Sequence, residues 1–211
     1  MLPGGFIPIA EENGLIADLG LWVLNETCRQ AAEWRASGLV SDVAVNLSPV
    51  QARQPDLVNT VGRALEAARL PPDCLELEIT ENLALDLAGG SVVDTLREIA
   101  QLGVRLSIDD FGSGYSSLAY LRVLPVTSIK IDRSIIAQIG RNSEEEAIIK
   151  AVIDLGHSLG RRVVAEGVET AEQVTSLCEQ ACDEGQGFLL GAPLPPVVFE
   201  SMLRRQHSQR G

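Results

Sequence analysis

Residues 105–134 read RLSIDDFGSGYSSLAYLRVLPVTSIKIDRS. At both ends of this stretch polar and apolar positions alternate with the period of a strand, so Asp109 and Lys130 point to one side. Ile108, Ile129 and Ile131 point to the other. Short runs rich in β-branched residues recur at 43–47, 75–79, 105–108, 128–131, 162–165 and 187–190, and each is predicted to be a strand. Longer stretches of helical period fill 15–36, 57–68, 91–102, 144–159 and 171–180. The punctuation agrees: Gly103 can close a helix in the left-handed conformation, and Thr170 followed by Gln173 can open one. Strands that alternate with helices imply parallel pairing and an α/β fold. A barrel is expected over an open sheet, because polar residues end nearly every strand, as where catalytic groups gather at a barrel mouth.

The chain has 211 residues, 45% of them hydrophobic, 22% charged, and a net charge of −12. That length and apolar content suit one globular domain. The negative charge argues against DNA or RNA, whose binding rests on clustered cations. No apolar run is long enough to span a bilayer and no basic, apolar leader follows Met1, so the chain is expected in the cytoplasm. Cys28, Cys74, Cys178 and Cys182 form no paired motif, and His157 and His207 are the only imidazoles. A disulfide framework or zinc site is not suggested, and the thiols are expected to be buried and inert. With so little histidine, Ser/His/Asp or Cys/His nucleophilic chemistry lacks its base. Carboxylates are left to do any chemistry.

The strand phase supplies them. In VAVNLS, LELEITE, RLSIDDFG, SIKIDRS and VVAEGVE, Asn46, Glu78, Asp109, Lys130 and Glu166 share one side, with apolar flanks on the other. Converging carboxylates are not buried alone, so they must be protonated, paired or bound to cations. Oxygen-only donors favour Mg2+ or Mn2+, and adjacent Asp109 and Asp110 could serve two neighbouring ions suited to phosphoryl chemistry. Lys130 could orient a water or neutralise phosphate charge. Taken singly, each acid could instead cap the helix that follows its strand.

PGGFIPIAEENGLI, VAVNLS, LELEITE, SIDDFGSGYSSLAYL, SIKIDRS, VVAEGVET and CDEGQGFLL, in this order, resemble the EAL domain family. The resemblance covers residues 1–202 and leaves 203–211 as a frayed tail. It implies a modified TIM barrel that uses Mg2+ or Mn2+, as two ions in a complete domain, to hydrolyse cyclic di-GMP to linear pGpG, commonly as a dimer. It implies metal-site positions at Asn46, Glu78, Asp109, Asp110 and Glu166, with Lys130 positioning the attacking water. Glu169 matches a further catalytic position, and Gln186 matches one that binds substrate. Glu81 matches the acid that anchors the loop beside the metals and the dimer surface, which includes Gly112, Ser113, Gly114 and Tyr115. Ser113 stands where threonine is commoner.

Other residues have plainer readings. Trp22, Trp34 and Phe199 are expected as packing aromatics, Glu144 to Glu146 as favourable charges at a helix start, and His157 as helix packing. The family's first strands, its Glu-Ala-Leu signature and a nearby phosphate-binding arginine are not among these 211 residues. Impaired turnover is therefore the expectation. Three readings stand: a piece or misplaced start of an active phosphodiesterase, a degenerate module binding cyclic di-GMP or a protein, and an unrelated metal-dependent barrel enzyme of the enolase type. In a longer protein, upstream sensory or diguanylate cyclase domains are expected partners.

Overall fold

The computed structural model describes residues 3–39, 42–81, 83–84, 91–113, 120–141 and 143–210. In chain order the described elements are α1 (Ile7–Glu12), α2 (Ile16–Ala36), β1 (Val43–Asn46), α3 (Pro49–Ala52), α4 (Leu57–Ala68), β2 (Leu75–Thr80) and α5 (Ser91–Gln101). There follow β3 (Arg105–Phe111), β4 (Ser128–Ile131), α6 (Arg133–Ile136), α7 (Ser143–Ser158), β5 (Arg162–Glu166), α8 (Ala171–Glu179), β6 (Glu184–Gln186) and α9 (Pro196–Arg210). Among the described residues the strands form one sheet in chain order, β1 through β6. From β3 to β6 each neighbouring pair is parallel. This is the α/β alternation that the periodicity predicts.

The chain divides into two compact units. One comprises residues 1–77, 90–105 and 194–211, the other 78–89 and 106–193. In the first, α2 buries Ile16, Gly20, Leu24, Cys28 and Ala31, spaced three and four apart as one helical face must be. Trp22 falls on the opposite side and is 64% exposed, so it is not the packing aromatic that its size suggests. Trp34 does pack, with its ring 5.2 Å from that of Phe199 on α9. The segment expected as a frayed tail continues as helix to Arg210.

In the second unit, α7 lays Ile149 and Ile153 over Ile131, Val163 and Ala165. Burying each such side chain contributes about 1.5–3 kcal/mol. Glu144, Glu145 and Glu146 occupy the first turn of α7, where the helix dipole favours them. Cys28 and Cys74 are buried, but Cys178 is exposed, on the solvent side of α8 from Leu177.

The last strand differs from expectation. It is the polar Glu184–Gln186, not 187–190. Directly after Gln186 the chain turns on itself: Val168 N donates to Gln186 O, Leu189 N to Val168 O, and Leu190 N to Gly187 O. Phe188, Leu189 and Leu190 are left exposed. Register explains the choice, since Val164, Ala165 and Glu166 are matched by Glu184, Gly185 and Gln186, and tertiary pairing overrides apolar content.

Asp183 ties this region together. Its Oδ2 accepts from Val163 N at 2.8 Å and lies 2.9 Å from His157 Nε2. Burial alone would raise the Asp183 carboxyl, but these partners hold it below its usual value. A depressed carboxyl stabilises the fold above its unfolded pKa, near about 3.9, and that contribution is lost as pH falls through the lower folded value. Asp183→Asn should therefore cost about 1 kcal/mol at pH 6, less than a fully buried charge-assisted bond because the carboxylate remains 36% exposed. Urea unfolding should show the gap between wild type and variant closing below about pH 4. A gap undiminished at pH 3 would contradict this assignment.

Candidate functional site

Lys130 lies in the centre of β4, a strand buried along its whole length, and is 5% exposed. An ammonium there needs compensation, because desolvation costs several kcal/mol. Three strands supply it. Lys130 Nζ is 2.7 Å from Glu78 Oε1 of β2, 3.4 Å from Asp109 Oδ1 of β3 and 2.6 Å from Glu166 Oε1 of β5. Burial pushes the ammonium towards losing its proton, but the charges of Glu78, Glu166 and Asp109 outweigh it and raise its pKa. The alternation thus brings together Glu78, Asp109, Lys130 and Glu166. Asn46 ends β1 in the first unit, exposed between buried Val45 and Leu47, as its phase requires.

Strict alternation would send Asp110 to the face opposite Asp109. The strand avoids this with a bulge. Ile108 pairs with Ile129 but Phe111 with Ile131, so two residues of β3, Asp109 and Asp110, stand opposite Lys130 alone. Asp110 takes φ +55°, a left-handed conformation that aspartate tolerates. As a result, Asp109, Asp110 and Glu166 each offer an oxygen within 4.8 Å of the others. Burial first, then the charges of Asp109 and Asp132, hold the Asp110 carboxyl above its usual value. Burial likewise raises Glu166, against the opposing pull of Lys130. A divalent cation would relieve both, and an all-oxygen donor set suits a hard ion. These residues fit a Mg2+ or Mn2+ site.

The segment after the bulge is held from below. Glu81, 2% exposed, accepts from Gly112 N at 2.8 Å. Gly112 has φ +90°, which favours glycine, and a Cβ on it would also push the tip of Ile135 aside, 2.4 Å from its Cδ1. Ser113 Oγ donates to Asp110 O at 2.8 Å. Gly114 and Tyr115 lie outside the described residues. Tyr120, at the far end of that segment, is buried, and burial together with the charge of Glu81 raises its phenol.

On the other flank, Glu166 lines a pocket of about 240 Å3 with Arg133, Glu169, Gln186 and Phe188. Gln186 is the register partner of Glu166, which is why the two share a face. Two residues here were not singled out from the sequence. Asp132 opens α6 by accepting from Ser134 N at 2.8 Å and faces Asp110. Arg133 follows it. SIKIDRS carries both, but strand phase stops at Ile131 and says nothing of a turn.

The family model described as EAL domain matches residues 1–193. Signaling protein YkoW of Bacillus subtilis is 44% identical over 207 residues, 98% of this chain and 26% of its own length. The bifunctional diguanylate cyclase/cyclic di-GMP phosphodiesterase MucR of Pseudomonas aeruginosa is 46% identical over 194 residues, 92% of this chain and 28% of its own length. The chain therefore spans about a quarter of the length of these curated relatives. A solved PaMucR phosphodiesterase in complex with c-di-GMP superposes with a TM-score of 0.88 at 44% identity, covering 92% of this chain and 79% of that one. The fold is the TIM-like α/β type shared by these structures, as the sequence predicts.

The cluster makes a direct demand on stability. Lys130→Met leaves Glu78, Asp109 and Glu166 facing one another with no cation. In EDTA it should lower the unfolding free energy at pH 7 by about 3 kcal/mol or more, measured by urea titration. A loss under about 1 kcal/mol would mean that the three carboxylates do not depend on the ammonium.

Proposed function

This chain belongs to the EAL domain family, and from that premise we propose that it binds cyclic di-GMP and hydrolyses one of its phosphodiester bonds to give pGpG. The observation that carries the reading is the set of Asp109, Asp110 and Glu166 oxygens within 4.8 Å of one another, beside the Lys130 ammonium. A protein of net charge −12 has little else with which to receive an anionic dinucleotide. Mg2+ or Mn2+, bound by Asp109, Asp110 and Glu166 with Glu78, would activate water and neutralise charge developing on the phosphate.

The chain's own residues have the following roles. Lys130 holds a proton between Glu78 and Glu166 and directs an N–H towards the attacking water or a phosphate oxygen. Glu169 and Gln186, lining the pocket beside Glu166, bind and orient the nucleotide. Glu81, through Gly112 N, fixes the backbone that turns after Asp110. MucR carries both diguanylate cyclase and phosphodiesterase in its name and the chain matches 28% of it, which supports a longer protein with a cyclase domain; sensory domains are part of the same proposal. A homodimer is part of the same reading.

Incubation with cyclic di-GMP and Mg2+ or Mn2+, followed by chromatography, should yield pGpG. Asp109→Asn and Lys130→Ala should each lower the rate about a hundredfold to a thousandfold. Tight binding without cleavage would instead make the chain a ligand-binding module, and neither binding nor cleavage would sink the proposal.

A further inference from the structure

Gln173 is 7% exposed at the third position of α8. It completes a capping box: Thr170 Oγ1 accepts from Gln173 N, and Gln173 Oε1 accepts from Thr170 N at 3.0 Å. A capping box needs only those two bonds, and a glutamate satisfies it equally well. Gln173 makes two more. Its Oε1 also accepts from Glu169 N at 2.7 Å, and its Nε2 donates across 37 residues to Ile136 O at 3.2 Å. That second bond is buried and asks for an amide, because a carboxylate there would set an acceptor against a carbonyl.

The two segments joined in this way are the turns that follow β4 and β5, the strands carrying Lys130 and Glu166. The same segments also share a buried cluster through Ile136 and Val168, and they approach closely at Gly167. Gly167 has φ +68°, and a Cβ on it would lie 2.5 Å from Arg133 Cβ and 3.3 Å from Arg133 Cα. Packing contacts of this kind carry no direction. The bond from Gln173 to Ile136 adds direction. The same amide oxygen fixes the backbone of Glu169, whose side chain lines the pocket with Glu166 and Arg133.

Building on the phosphodiesterase reading above, we propose that Gln173 is a positioning residue for hydrolysis, locking the Glu166–Glu169 turn to the α6 turn so that Glu166, Glu169 and Lys130 keep their mutual geometry. It touches neither substrate nor metal. Displacements of about 1 Å among reacting groups cost on the order of a hundredfold in rate, so losing the lock acts on turnover more than on binding.

Two variants separate this role from helix capping. Thr170→Ala weakens the cap and leaves the bridge, whereas Gln173→Met keeps the volume and loses the bridge together with the bonds from Glu169 N and Thr170 N. We expect Gln173→Met to lower kcat about tenfold to a hundredfold with KM within about threefold, while Thr170→Ala, at a similar loss of Tm, keeps kcat within about threefold. Hydrogen exchange should quicken in residues 133–137 only in the Gln173 variant. If Gln173→Met does not fold, Gln173→Ser, too short to reach Ile136, takes its place with the same criteria. Equal loss of kcat for equal loss of Tm in both variants, or unchanged exchange at 133–137, overturns the proposal. A wild type that cleaves nothing overturns the phosphodiesterase reading, and the exchange comparison still decides whether Gln173 locks the two turns.

Discussion

A lysine buried to 5% exposure among Glu78, Asp109 and Glu166 is the constraint on which the second unit depends. None of the four charges is tolerable in that environment alone. Together they fix which face of β2, β3, β4 and β5 is polar, and the opposite face is left to Leu77, Ile79, Ile108, Ile129, Ile131, Val163 and Ala165, all 1% exposed or less. A shift of one residue in any of these strands would bury a charge under the helices and expose an isoleucine or valine, so register is strongly specified. The arrangement that gives chemistry also selects the pairing.

A buried ion cluster is weak evidence for stability taken alone, because the desolvation cost consumes most of the attraction. The excess of carboxylate over ammonium is the informative part. Lys130 offers one positive charge to Glu78, Asp109 and Glu166, and Asp110 and Asp132 crowd the same end. Burial first, and then the neighbouring carboxylates, raise Asp110 and Glu166. Packing gains nothing from the surplus, whereas a hard cation would neutralise it.

Much of this was legible in the sequence because period two is a local property. Glu78, Asp109, Lys130 and Glu166 could be placed on one face from their neighbours, and α4 was bounded by its periodicity at 57–68. What escaped the sequence was whatever local pattern does not encode. The bulge that turns Asp110 towards Asp109 is a property of pairing between β3 and β4. The last strand was misplaced because GFLL is apolar while EGQ is not, yet only the latter meets the edge of β5. Residue type suggests a packed Trp22, whereas the spacing of Gly20 and Leu24 places it outside. The bond from Gln173 to Ile136 spans 37 residues and leaves no local trace.

Strand phase and one bulge assemble a candidate divalent-metal site from Asp109, Asp110 and Glu166. Anomalous diffraction from crystals grown with Mn2+ tests it most directly. The expected result is a peak bound directly by oxygens of these three side chains. A fully occupied peak elsewhere on the chain, or no peak here at saturating Mn2+, would contradict it.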